Sequence, residues 1–358
     1  MLVGTNSIHI MNHGIRSVVV GLAVMTMATI TVIPFASGAE FFEGKTIRIV
    51  SGGGAGGGLD AYSRIVARHI GKHIQGNPTV IVQNMPGAGS MIAANHVYRA
   101  AAPDGLTIGN FIGTVLFGQL LGRPGIEFDA RHFEYVGVPV KFGNVCAFTK
   151  RSGVTSMEKW MASTKPVKVG ATGPGAGIFD VPKILADALA LPVQVISGYK
   201  SIGDIRLAAE SGEVDGICGV GWESLKPIWA KALETGDAVV VLQMLPQADP
   251  ELPNVPLAIN FAKSESARQL IKVGTQDTGA LLFVYALPPG TPKERVRVLR
   301  RAFQDTLKDP VLLAEANKAK LDINPLGGAE VERLVNSLFS LNPAVVTKLK
   351  EILKDPVK

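Results

Sequence analysis

The chain has 358 residues, is 47% hydrophobic and 18% charged, and carries 40 Gly, 22 Pro and 2 Cys with a formal net charge of +6. This composition excludes a disordered tail, a collagen and a disulfide-stapled miniprotein, and the length suits about two domains of roughly 150 residues. The mild basic excess suits acidic small solutes; no clustered Lys/Arg stripe with interleaved aromatics points to nucleic acid.

Residues 1–39 read as a secretory signal peptide. Arg16 precedes an uncharged apolar run from Ser17 to Phe35, and Ala36, Ser37, Gly38 and Ala39 follow. Pro34 and the small-residue exit favour cleavage after Ala39 over an uncleaved anchor, and Met11 is an alternative start. No Cys near the exit supports a lipid anchor, so the mature protein is expected in the compartment to which it is exported.

Lys45 to Val50 predicts a strand and leads into the glycine-dense 51–59. From Asp60, apolar Tyr62, Ile65, Val66, Ile70 and Ile74 recur at helical spacing, with Arg64, Arg68 and Lys72 opposite. The unit repeats in kind: strand 79–82, turn 84–90, helix 91–101, tight turn 103–105, strand 107–111 and loop 109–113. A second region begins near Asn144. In it, strand 167–169, glycine loop 170–177 and helix 181–191 repeat the first device about 120 residues later. Strand 193–196, helix 202–211, strand 214–218, strand 239–244, the Pro-rich 246–256, strand 281–286, turn 288–292 and terminal helices follow. Such alternation predicts an α/β fold with parallel or mixed sheets covered by helices.

A glycine loop between strand and helix lets backbone N–H groups converge on an anion, which the helix dipole also favours. A tight turn for close packing is the plainer alternative. Gly52, Gly54 and Gly57 satisfy G-x-G-x-x-G, but no Asp or Glu lies between Ala61 and Pro103 to hold a ribose. No Gly-Lys-Ser/Thr marks a nucleotide P-loop. No G-x-S-x-G elbow occurs, Ser201 having the wrong spacing. His69 and His73 stand four apart without an HExxH-type Glu, so solvated or packed histidines are preferred to a metal pair; His96 and His132 are isolated. Asp60 at its helix start reads first as a cap, and second as an acceptor for a ligand amine or hydroxyl. Cys146 and Cys218 lie in strand-like stretches. An oxidising compartment permits a disulfide, but two separate buried thiols is the preferred reading.

Taken together, Gly44-Lys45-Thr46-Ile47-Arg48-Ile49-Val50, Ala55-Gly56-Gly57 with Asp60, Asn84-Met85-Pro86-Gly87-Ala88-Gly89-Ser90 and Ala102-Pro103-Asp104-Gly105 resemble the solute receptors of tripartite tricarboxylate transporters, the Bug or TctC family. Tyr199-Lys200, Gly212-Glu213-Val214-Asp215 and Pro288 to Pro292 add to the match, which covers nearly all the mature chain. The resemblance implies a two-lobed periplasmic binding protein of type II, with the chain crossing between lobes near Gly143 and Gly279. Lobe I would be 40–143 plus 279–358, and lobe II 144–278. It further implies a monomer without catalytic activity, metal or cofactor, serving a membrane permease. A ligand carboxylate would be held by Gly53, Gly54, Ala55, Gly56, Gly57 and Asp60 in lobe I. Thr172, Gly173, Gly175, Ala176, Phe179 and Tyr199 would hold it from lobe II, with Asn110, Gly113 and Thr114 as a further wall.

The chain also departs from that family. Gly52-Gly53-Gly54 stands where Pro-Phe-x usually precedes Ala-Gly-Gly, and Ala176 and Phe179 replace Ser/Thr and His. Fewer polar side chains imply a ligand of more apolar character, such as an aromatic or branched carboxylate. The rival readings are an exported enzyme acting on a carboxylate or ester, which lacks a nucleophile or metal constellation, and a receptor for amino acids or sugars.

Overall fold

A computed structural model describes residues 40–354; the expected leader and its cleavage point lie outside the described residues. Two sheets organise the chain, one per lobe. The first has the order β11-β4-β10-β3-β1-β2, formed by β1 (Thr46–Ser51), β2 (Thr79–Asn84), β3 (Thr107–Ile112), β4 (Glu134–Val138), β10 (Phe283–Leu287) and β11 (Leu326–Gly327). The second has the order β7-β6-β8-β5-β9, formed by β5 (Asn144–Thr149), β6 (Val167–Ala171), β7 (Val193–Ser197), β8 (Gly216–Gly221) and β9 (Ala238–Met244).

Strands β1, β2 and β3 are parallel, as are β7, β6 and β8, whereas β10 and β5 run against their neighbours. Registry decides where the loops emerge. Ser51 is level with Asn84 on one side and Asn110 on the other, so the loops after β1, β2 and β3 leave one edge together. In the second sheet Ala171 pairs with Ser197, which brings the loops after β6 and β7 to a common edge. In open α/β sheets the carboxyl ends of parallel strands are where ligand crevices form.

The helices cover these sheets with their apolar stripes. Helix α1 (Gly58–Ile70) buries Tyr62, Ile65, Val66 and Ile70. It ends sooner than the periodicity predicts: a 3-10 turn takes over at Gly71, where a Cβ would lie 2.6 Å from the Pro78 carbonyl. Helices α2 (Met91–Arg99), α3 (Thr114–Leu121) and α4 (Met157–Met161) follow, then α5 (Gly177–Leu189), α6 (Ile202–Ser211) and α7 (Trp222–Thr235). Helix α5 starts four residues before the predicted Val181, because Gly177 and Ile178 already turn helically behind Ala176.

Helix α8 (Glu265–Ile271) continues through a π-helical 272–277 into α9 (Thr278–Ala280), and α10 (Lys293–Thr306), α11 (Pro310–Lys318), α12 (Gly328–Phe339) and α13 (Pro343–Ile352) close the chain. The T-shaped pair of Phe148 and Trp160, centroids 4.8 Å apart, fills the second core, and Tyr285 against Phe303 fills part of the first. Val345, Leu349 and Leu353, in and just after α13, belong to a cluster that also holds Ile184, Leu270 and Val273, so this helix packs onto α5 and α8.

Chain passes from β4 to β5 and returns from α9 to β10, and the two passages touch. Phe142 N–H donates to the Gly279 carbonyl at 3.4 Å, and Asn144 Nδ2 to the Thr275 carbonyl at 3.1 Å. Cys146 and Cys218, opposite one another on β5 and β8, are bonded together and wholly buried. This corrects the preference for separate thiols: antiparallel pairing brings together two residues 72 positions apart, a proximity that local sequence does not encode. Peptide mapping without reductant is expected to recover one linked Cys146/Cys218 peptide. Reduction should lower the unfolding midpoint, with a loop of this length contributing about 4 kcal/mol through the entropy of the unfolded chain. Recovery of both peptides unlinked from freshly purified protein would refute the pairing.

Candidate functional site

The two glycine loops form the same turn. Gly57 N–H donates to the Gly54 carbonyl at 3.2 Å, and Ala176 N–H to the Gly173 carbonyl at 3.2 Å. The third residue of each turn has positive φ, +80° at Gly56 and +85° at Gly175, a conformation in which glycine is unstrained. In each case the N–H of that glycine turns into the first part of the following helix and meets an acid. Gly56 N–H donates to Asp60 Oδ2 at 2.9 Å, and Gly175 N–H to Asp180 Oδ1 at 3.1 Å. Those two donors, expected to face a ligand, are thus occupied within the protein.

Asp60 is 3% exposed, and both of its carboxylate oxygens accept hydrogen bonds within the protein. Arg64 Nε donates to Oδ2 at 2.9 Å and Asn84 Nδ2 to Oδ1 at 2.8 Å. The Arg64 guanidinium, helped by the Gly56 and Asn84 donors, holds this carboxyl down at about 2. Neither reading of Asp60 from sequence, cap or ligand acceptor, describes this clamp. Asn110 is also internal: its amide donates to Ser63 Oγ at 2.8 Å and to the Leu59 carbonyl at 3.2 Å, securing α1 against β3.

A cleft of about 690 Å³ opens between the lobes, lined by Thr114 and Val115 from α3, Ala88 and Gly89 after β2, and Pro174, Gly175, Ala176 and Gly177 from the second glycine loop. Of the residues expected to bind, it gathers Thr114, Gly175 and Ala176. Gly53, Gly54, Ala55, Gly56 and Gly57 do not line it, and 54–57 are exposed. Thr172 and Gly173 are half-buried just before it, and the Thr172 carbonyl accepts from Gly198 N–H at 3.1 Å. Gly113 is packed so closely that a Cβ would lie 1.9 Å from the Leu281 carbonyl. Phe179 is buried in the core of the second lobe. Tyr199 stands apart, its hydroxyl donating to Glu213 Oε1 at 2.6 Å.

Donors do remain at the cleft wall. Helix α5 begins without a side-chain cap, and the N–H groups of Gly177 and Ile178 have no acceptor among the described residues. Sequence reasoning missed Arg123, which reaches from just beyond α3 to Asp180 Oδ2 at 3.5 Å and is the one charged side chain in the lining. It also missed Glu223 on α7, near the β4–β5 passage. Burial, with Asp322 and Asp249 nearby, pushes the Glu223 carboxyl up to about 7, and its Oε2 has no hydrogen-bond partner. Neither position lies in a motif, and only the fold brings each to its neighbours.

His69 and His73 take separate acids from the far end of the chain: Glu315 at 2.7 Å and Asp309 at 3.0 Å. Among the described residues no group of three or more His, Cys, Asp and Glu side chains is gathered to hold a metal.

The depressed Asp60 carboxyl has a consequence for stability. Its contribution is present above the ordinary carboxylate range near 4 and is lost as pH falls towards 2. Asp60→Asn is expected to lower the melting temperature at pH 7 and to flatten its fall between pH 5 and 2. An unchanged acid slope in the variant would show that this clamp is not what acid breaks.

The description "Tripartite tricarboxylate transporter family receptor" belongs to a family model that matches residues 63–350. A protein in the gbd 5' region of Cupriavidus necator is 25% identical over 338 residues, covering 92% of this chain and 95% of its own. Among solved structures, a TctC solute-binding protein from Polaromonas has a TM-score of 0.68 at 17% identity, covering 87% of this chain and 98% of that one. MatC of Rhodopseudomonas palustris, solved with bound malate, has a TM-score of 0.58 at 18% identity, covering 87% and 100%. An R. palustris protein solved with adipate reaches 0.60 at 18%, covering 87% and 97%. No helix among the described residues is long and apolar enough to cross a membrane. The chain belongs to the tripartite tricarboxylate transporter receptor family, TctC or Bug, and is a solute-binding protein and not an enzyme.

Proposed function

We propose that this receptor, exported on a leader cleaved after Ala39, captures a small organic carboxylate in the cleft between its lobes and delivers it to the membrane subunits of a tripartite permease. The moving bodies are 40–143 with 279–358, and 144–278, and the receptor acts as a monomer. The observation that carries the reading is the cleft wall where α5 begins, with two uncapped backbone N–H groups beside a cationic side chain. A carboxylate leaving water must recover several hydrogen bonds, and charge-assisted ones are the strongest available. Malate and adipate, bound by two proteins of this fold, are both carboxylates.

Loops from both lobes line this cleft, so a ligand that bridges them favours the closed arrangement by its extra affinity for it. Thr114 supplies a hydroxyl from the lobe I side. It has no hydrogen-bond partner among the described residues and begins α3 at the cleft.

Mass spectrometry of small molecules released from freshly purified protein, followed by calorimetric titration of a carboxylate panel, tests the reading. A carboxylate should be bound without turnover, and Thr114→Val, which keeps the side-chain shape, should weaken it about fivefold, the worth of one hydrogen bond near 1 kcal/mol. Binding of uncharged solutes alone, or turnover of the bound acid, would overturn the proposal.

A further inference from the structure

We infer that Arg123 is the specificity-determining cation of the cleft, and that it makes this receptor selective for solutes with one carboxylate and an apolar body. The inference rests on the carboxylate reading above and narrows its substrate class.

Three observations converge on Arg123. Its side chain is 37% exposed and is the single formal charge lining the cleft, whose walls apart from Thr114 are apolar or backbone, Met91, Ile112, Val115, Ile126 and Leu282 among them. Its acidic partner, Asp180, is a poor one. The contact is a single 3.5 Å approach, at the limit of a hydrogen bond, while a guanidinium carries five donors in a planar fork. Asp180 is also committed elsewhere through Gly175 N–H, and its burial disfavours the charged form.

The guanidinium stands directly over the second glycine turn. A Cβ built on Gly175 would lie 2.7 Å from Arg123 Nη1, and the uncapped N–H groups of Gly177 and Ile178 follow within three residues. A carboxylate entering there meets the fork on one side and helix N–H groups on the other. It replaces one long contact with short, bidentate ones.

The far end of the cleft decides the class. A second carboxylate would be desolvated against methionine, isoleucine, valine and leucine side chains with Thr114 as the one neutral polar side chain, a strongly unfavourable burial. An aliphatic or aromatic body gains there instead. The two lobes thus use one acid differently. Asp60 is fully satisfied by its own lobe, whereas Asp180 shares a cation that belongs to the other lobe and that a ligand can take.

Titration calorimetry with isovalerate, hexanoate and benzoate against succinate and malate, on wild type, Arg123→Ala, Arg123→Lys and Asp180→Asn, tests this. At least one monocarboxylate should bind wild type ten times more tightly than either dicarboxylate. Arg123→Ala should lose tenfold or more, Arg123→Lys should recover part of it, and Asp180→Asn should bind severalfold more tightly because the internal competitor has lost its charge. That opposite sign is not produced by a merely structural role, and melting curves of each variant report folding independently. Dicarboxylates binding more tightly, or Arg123→Ala binding like wild type, would overturn the inference and leave the carboxylate receptor standing. Wild type binding none of the five, with only uncharged solutes recovered from purified protein, would remove both.

Discussion

An acid that accepts the N–H of a left-handed glycine is the contact on which both glycine loops depend. The turn it closes brings the chain out of a strand and into a helix within five or six residues, and it needs positive φ at Gly56 and Gly175. Left alone, each of those N–H groups would have to find water or a ligand. Asp60 and Asp180 supply acceptors, and the loops become fixed features of the fold. The rigidity has a consequence: the N–H groups of Gly56 and Gly175 are spent inside the protein. It also divides the lobes. Arg64 completes the first clamp from its own helix, whereas the second is completed, weakly, by a residue that crosses the cleft.

The passages between lobes show a related economy of space. Phe142 and Gly279 are hydrogen-bonded, and a Cβ at Gly279 would stand 2.9 Å from both the Phe142 carbonyl and the Asn144 amide. Phe283 packs against Tyr62 and Phe142, with ring centroids 5.0 and 5.6 Å away. Besides the cleft at α3 and the second glycine loop, a second cavity of about 670 Å³ opens at this crossing, with Phe142, Gly143 and Glu223 among its walls. Glu223, half-buried on that wall, has its carboxyl pushed up by burial.

Strand–glycine–helix units were legible in sequence because their signals are local: a β-branched run, a break in periodicity, then apolar residues at helical spacing. The parallel strands β1, β2, β3, β6 and β7 follow from them. Strand β4 does not, since it is buried on every residue and shows no alternation from which to read a period, and of β5, buried in the same way, only a strand-like stretch around Cys146 was legible. The candidate site was legible to the extent that Thr114, Gly175 and Ala176 meet at the cleft. Asp60 carried a local signal with two meanings, and the clamp it forms instead depends on Asn84, a residue on β2. Arg123 carried none, because a lone arginine after a helix says nothing of the loop it will meet some fifty residues later. The Cys146–Cys218 bond is of the same kind, a product of β5 lying against β8.

The run Gly52-Gly53-Gly54 has a physical reason in this fold. The loops after β1, β2 and β3 are stitched together at one edge: Gly52 N–H donates to the Asn110 carbonyl at 2.8 Å, Ser90 Oγ to the Gly52 carbonyl at 3.2 Å and Asn84 Nδ2 to the Gly53 carbonyl at 2.9 Å. A Cβ at Gly52 would lie 2.6 Å from Ser90 Cβ, and one at Gly53 would lie 2.8 Å from Leu59 Cβ. Larger residues cannot enter at the first two positions unless the β2 loop or α1 retreats. The walls of the cleft come chiefly from α3, the β2 loop and the second lobe. Those walls are apolar, so the burden of recognising charge passes to Arg123 and the uncapped start of α5.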